Sequence, residues 1–250
     1  MKATTHLPEV NISEDGEVRF LHLGTEWIQG SMLLDAPFDI ELEYVQRMMA
    51  WLLFVEPDTV HKRRVLQLGL GSAALTKFCF KRLRMDTTAI EINPQVVAVC
   101  RRWFKLPPDS ARLRVLLADA GEAIRAPEHR GRYDALQVDL YDHEAAAPVL
   151  DSTDFYADCR NALTDEGCLT VNLFGRDASF ERSLRHIADA FGADAVWPFK
   201  STREGNTVVL AQRHASRPAR LDMLARAEAV QQRWGLPAVK WLRLFHPLVR

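Results

Sequence analysis

Long apolar runs are missing from this 250-residue chain. The longest, Met48 to Val55, falls well short of the ~18 residues that a membrane span needs. The opening stretch MKATTHLPEVNISEDG carries no apolar core of the kind a secretory leader has, so no signal peptide is expected. Cysteine is scarce: Cys79, Cys100, Cys159 and Cys168 form no C-x-x-C pair, and each sits in an apolar stretch. That pattern predicts reduced core thiols and a reducing, cytoplasmic setting. An excess of one charge is lacking too. Lys plus Arg number 32 against 33 Asp plus Glu, a net charge of −1, so the footprint of a nucleic-acid or anionic-membrane partner is not there. No spacing recommends a metal site, and neither a nucleophile elbow nor a P-loop lysine occurs. Internal repeats and low-complexity segments are absent as well.

What the chain does have is organised around VLQLGLGSAALTKF, Val65 to Phe78. An apolar run ends in Gly69-Leu70-Gly71, and a segment of helical periodicity follows at once. Strand, tight turn and helix are the expected order. Glycine takes positive φ and lets a ligand approach the backbone, while the helix start offers free N–H groups. Such a turn can also be close packing and nothing more. Glu91, closing the strand TTAIEI roughly twenty residues on, favours a ligand, because dinucleotide-type folds place a ribose-binding acid at that distance.

Length and a hydrophobic fraction of 48% suit one large domain with a small appendage. Residues 1–43 read as a small antiparallel β unit, with a hairpin around Glu14-Asp15-Gly16 and a further strand from Trp27 to Leu34. A helix is expected over Ile40 to Phe54. From Val65 strands and helices alternate, which predicts an α/β, Rossmann-like, mostly parallel sheet over residues 44–250. Asn93-Pro94 starts one helix, a closing antiparallel pair covers Ala195 to Gln212, and the tail from Leu221 to Leu248 is helical with a break at Gly235-Leu236-Pro237. The tail's apolar residues suit either packing on the chain's own domain or a homodimer.

Four successive strands end in the glycine turn, Glu91, Asp119 and Asp139. In an open parallel sheet ligands bind beyond the carboxyl ends of the strands, so these residues are expected to share one crevice. Each acid has a local alternative. Asp119 with Glu122 fits a capping box, and Asp139 can shape a turn. The loop Asp139-Leu140-Tyr141-Asp142-His143-Glu144 gathers three carboxylates and an imidazole. It is either a solvated acidic loop or a place to hold an ammonium group and take its proton.

With these residues in view, the chain resembles the spermidine synthase family, the polyamine aminopropyltransferases. The resemblance runs from about Trp27 to Gln212 and rests on Ile28-Gln29, Glu43-Tyr44, LGLGSA, AIEI, Ala118-Asp119-Ala120 and YDALQVDLYD. It implies transfer of an aminopropyl group from decarboxylated S-adenosylmethionine to an amine such as putrescine, releasing 5′-methylthioadenosine. It further implies that Asp139 is the base and that Tyr44 and Asp142 position the amine. Gly69, Gly71, Ser72, Gln29, Glu91, Asp119 and Ala120 would line the nucleoside. Two departures stand out: Ser72 replaces an acid usual in the family's turn, and Val45-Gln46 replace a histidine and an acid. Gln67 likewise differs from the acid many methyltransferases keep in that strand. A methyltransferase-like enzyme using S-adenosylmethionine and a non-catalytic nucleoside-binding relative therefore remain as alternatives.

Overall fold

A computed structural model of the chain describes residues 7–140, 150–174 and 178–249. Three short strands, β1 (Val10–Asp15), β2 (Val18–Leu23) and β3 (Ile28–Leu33), form an antiparallel sheet of their own in the order β1-β2-β3. Gly16 turns the first hairpin at φ +57°, with open space where a side chain would stand.

The expected helix over Ile40 to Phe54 is broken in two. It runs as one α-helical segment, α1 (Glu43–Arg47), followed by a 3₁₀ turn, Ala50–Phe54. Met48, Met49, Ala50, Trp51, Leu52 and Leu53 are all fully buried. Residues sealed on every side gain no stripe for a regular helix to present, and tertiary packing decides their path.

The main sheet has seven strands. They are β4 (Arg64–Leu68), β5 (Asp86–Glu91), β6 (Leu113–Leu117), β7 (Tyr133–Val138), β8 (Leu163–Phe174), β9 (Val196–Pro198) and β10 (Asn206–Gln212). Their spatial order is β6-β5-β4-β7-β8-β10-β9. The first five are parallel, and β10 lies antiparallel to both β8 and β9. Val65, Leu66 and Leu68 of β4, like Ala135, Leu136 and Val138 of β7, are buried. Near-continuous apolar runs suit strands covered on both faces. The chain leaves β4 toward β5 on one side and reaches β7 on the other. The order reverses between β4 and β7, where a crevice opens at the strand ends.

The connecting helices are α2 (Ala74–Lys77), continued as a π-helical turn through Phe78–Arg82, then α3 (Pro94–Trp103), α4 (Ala120–Ala123), α5 (Thr153–Ala162) and α6 (Ala178–Phe191). Asn93 caps α3 by accepting from the Gln95 N–H, with Pro94 in its first turn. The β1–β3 sheet joins the core through Leu21 and Met32, which cluster with Val96, Cys100 and Phe104. The tail forms α7 (Arg220–Trp234), ended by Gly235 in the left-handed region, and α8 (Ala238–Trp241). Met223, Ala227, Val230 and Trp241 are buried in the chain's own core, so the tail folds back on its own domain. All four cysteines are free and buried.

Candidate active site

The parallel ladder sets the site. Gly69 N–H donates to the Ile90 carbonyl at 2.9 Å, Asp139 N–H to Leu68 at 3.0 Å, and Ala118 N–H to Glu91 at 3.0 Å. Asp119, Glu91, Gly69 and Asp139 therefore leave four adjacent strands at the same end. The convergence expected of the acids follows from ordinary parallel pairing.

Gly69 adopts φ +91°, and a Cβ there would lie 2.2 Å from the Asp139 carbonyl oxygen. Only glycine lets these two strand ends sit so close. Gly71, at φ +51°, faces the Gln29 carbonyl, 3.1 Å from where its Cβ would be. The turn is thus wedged between β7 and β3. Ser72 is buried, and its hydroxyl donates to the Ser31 carbonyl at 2.9 Å. The Ser31 hydroxyl in turn donates to Glu41 Oε2 at 2.6 Å, so a carboxylate stands two hydrogen bonds from Ser72.

Glu91 accepts from the Leu70 N–H at 2.9 Å and from the Asn93 N–H at 2.8 Å. Burial pushes its carboxyl above the usual glutamate range, and those backbone donors pull against the shift. One acid so grips both the turn and the start of α3. Beside it, Ile92 leaves an apolar surface 50% exposed at the rim. Asp119 caps α4, accepting from the Glu122 N–H at 3.0 Å, and Ala120 behind it is buried. Asp119 thus realises the N-cap half of the expected capping box, and that cap engages its Oδ1. Gln29 presents a buried Nε2 with no hydrogen-bond partner among the described residues, a donor that needs an acceptor.

Asp139 is half-buried, and each of its oxygens is held. Oδ1 accepts from Asn172 Nδ2 at 2.9 Å, and Oδ2 accepts from the Tyr44 hydroxyl at 3.3 Å. Burial raises its carboxyl above the ordinary aspartate value, opposed by the Asn172 and Tyr44 hydrogen bonds. Such a carboxyl sits nearer the working range of a general base. The expected roles of Asp142, His143 and Glu144 lie outside the described residues.

Gln67 is no crevice residue. Its Nε2 donates to Gln137 Oε1 at 2.9 Å inside the sheet, while Gln137 donates to the Met48 carbonyl at 3.1 Å. Asn172, Asn206, Gln137 and Glu41 were not singled out in the sequence. Their signal was weak but present: an amide inside a run such as LTVNLF must find a partner when buried. Among the described residues no group of three or more His, Cys, Asp or Glu could hold a metal, and no helix is long and apolar enough to cross a membrane.

No family model matches the sequence. Curated relatives do. The polyamine aminopropyltransferase of Neisseria meningitidis serogroup A is 34% identical over 237 residues, covering 94% of this chain and 88% of that protein. The enzyme of the same description from Chromobacterium violaceum is 34% identical over 236 residues, with the same coverage. Among solved structures, a probable spermidine synthase from Corynebacterium glutamicum superposes with a TM-score of 0.73 at 16% identity, over 91% of this chain and 85% of that one. Human methyltransferase-like protein 13, in complex with SAH, gives 0.70 at 23% identity, over 78% and 93%. The structural likenesses show the fold, and the sequence relatives show more: this chain belongs to the polyamine aminopropyltransferase family and is a transferase.

Proposed function

We propose that the chain moves an aminopropyl group from decarboxylated S-adenosylmethionine to a small amine such as putrescine, with Asp139 as the base. The observation that carries this reading is the Asp139 carboxyl, half-buried beside the glycine turn and fixed at both oxygens. The amine nitrogen gives its proton to Asp139 and attacks the carbon next to the sulfonium. A C–N bond forms, the C–S bond breaks, and its electron pair stays on sulfur as 5′-methylthioadenosine leaves. The protein's share is to hold nitrogen, carbon and sulfur in line and to accept the proton. Glu91 would take the ribose hydroxyls, Asp119 and Ala120 the adenine edge, and Gln29 Nε2 an acceptor on the nucleoside. Tyr44 would position the amine, as would Asp142.

A second reading has its own observation. Ser72 is neutral, and its hydroxyl is committed to Ser31, so position 72 itself carries no charge to repel a donor that keeps its carboxylate. Unmodified S-adenosylmethionine is the donor in that case.

Asp139→Asn tests the first reading. The variant loses turnover by about 10²–10⁴-fold while 5′-methylthioadenosine binds as before. Wild-type turnover would remove Asp139 from the mechanism. The proposal includes a division at residue 43 into a β unit and a Rossmann-like domain, supported by the separate β1–β3 sheet. It also includes a cytoplasmic homodimer. The four buried free cysteines support the compartment, and the exposed Trp27 and Ile28 offer a contact surface outside the tail.

A further inference from the structure

We propose that Asn172 and Asn206 form a two-amide relay that sets the orientation and basicity of Asp139, making Asn172 a positioning residue for proton transfer. The inference rests on Asp139 acting as the base. Sheet geometry delivers the relay. Val138 of β7 pairs with Val171 of β8, which brings Asn172 alongside Asp139 just past the end of β7. Across the antiparallel β8–β10 ladder Asn172 faces Val208, so Asn206, two residues along, is its diagonal neighbour on the same face.

The hydrogen bonds have one direction. A carboxylate only accepts, so Asn172 must turn its Nδ2 toward Asp139, which it does at 2.9 Å. That leaves Asn172 Oδ1 as an acceptor, and Asn206 Nδ2 donates to it at 3.1 Å. Asn206 is itself fixed at the mouth of β10. Its N–H donates to the Thr202 hydroxyl at 3.2 Å, and its carbonyl accepts from the Thr202 N–H at 2.7 Å. The second amide thus keeps the first from turning end for end. Asn172 is itself buried.

For the chemistry, Oδ1 is held by the firmer bond. Among the described residues Oδ2 receives the 3.3 Å bond from Tyr44, near the limit for a useful hydrogen bond, and in the proposed reaction it is the oxygen that takes the substrate proton. Tyr44 is also the titratable group that faces Asp139 among the described residues. The amide donor favours the charged carboxylate and so offsets the effect of burial.

The test is the pH profile of kcat/KM for Asn172→Ala, Asn206→Ala, Asn206→Asp and the double variant Asn172→Ala/Asn206→Asp, with Asp139→Asn alongside. Binding of 5′-methylthioadenosine serves as the check on folding. Removing the donor in Asn172→Ala moves the acidic limb to higher pH by about one unit. Asn206→Ala moves it less, in the same direction. Asn206→Asp moves it more than Asn206→Ala, because a carboxylate there draws Asn172 Nδ2 to itself and turns Oδ1 against Asp139. In the double variant the aspartate adds nothing further, whereas a simple field from the new charge would persist. A limb that stays at the wild-type pH in Asn172→Ala and Asn206→Asp, while Asp139→Asn abolishes turnover, overturns the relay and leaves the base standing. Wild-type turnover in Asp139→Asn overturns both.

Discussion

Replacing Gly69 by alanine strikes the junction on which the crevice depends, and two other glycines calibrate it. At Gly69 the backbone has φ +91° and the new methyl would stand 2.2 Å from the Asp139 carbonyl oxygen. An L-residue in the left-handed region costs about 1–2 kcal/mol, and alanine's stiffer unfolded chain returns roughly 0.4–1 kcal/mol. Gly16, at φ +57° with open space around it, pays only this difference, so Gly16→Ala costs about 0–1.6 kcal/mol. Gly71, whose Cβ would stand 3.1 Å from the Gln29 carbonyl, pays more than Gly16, because that strand must yield by a few tenths of an ångström. At Gly69 the obstacle is backbone, and Asp139 must retreat by roughly an ångström, an overpacking cost of about 1–3 kcal/mol beyond the φ term. Gly69→Ala is therefore destabilised by roughly 1–5 kcal/mol, the overpacking added to the cost at Gly16. Moving the base by that distance also lowers kcat/KM by about 100-fold. Urea unfolding and steady-state turnover of the three alanine variants read both effects. Equal destabilisation of Gly69→Ala and Gly16→Ala, with turnover preserved, would refute the claim that the turn holds Asp139 in place.

Other outcomes are as specific. Glu91→Gln weakens 5′-methylthioadenosine binding by roughly 10- to 100-fold in calorimetry, because a charged acceptor for ribose hydroxyls is lost. In the wild type that affinity falls as pH drops through the raised Glu91 carboxyl, so the loss begins above the ordinary glutamate value. Lys77 is buried, with Nζ donating to the Phe104 carbonyl at 2.8 Å, and desolvation lowers its pKa to about 8. The unfolded chain then binds more protons between pH 8 and the ordinary lysine value of 10.5, so Lys77 makes stability rise with pH across that window. The full rise is roughly 3 kcal/mol, and Lys77→Met flattens it in urea titrations at pH 8 and pH 10. Tyr44→Phe removes one of the two bonds to Asp139 and moves the acidic limb of kcat/KM upward by less than Asn172→Ala does.

The parts of the fold written in local pattern were the parts legible in the sequence. The turn signal Glu14-Asp15-Gly16 pointed to the β1–β2 hairpin, Asn93-Pro94 gave the start of α3, and Gly235-Leu236-Pro237 gave the break between α7 and α8. The break inside the Ile40 to Phe54 segment was not legible, because Met48 to Leu53 are buried on every side and present no single apolar face. The π turn after Lys77 leaves no mark in composition either. At the crevice, acids at strand ends announced themselves through parallel topology. Asn172 and Asn206 did not, since their pairing depends on the diagonal register between β8 and β10, which no single stretch of sequence contains. Ser72 was visible as a departure, but its bond to Ser31 required the third dimension.

Product identity tests the central claim most directly. The protein is incubated with decarboxylated S-adenosylmethionine and putrescine, and in parallel with S-adenosylmethionine and the same amine, and the nucleoside released is identified by mass. The account predicts 5′-methylthioadenosine from the decarboxylated donor, with an aminopropylated amine in equal amount. S-adenosylhomocysteine from the second incubation, with no methylthioadenosine from the first, would contradict it.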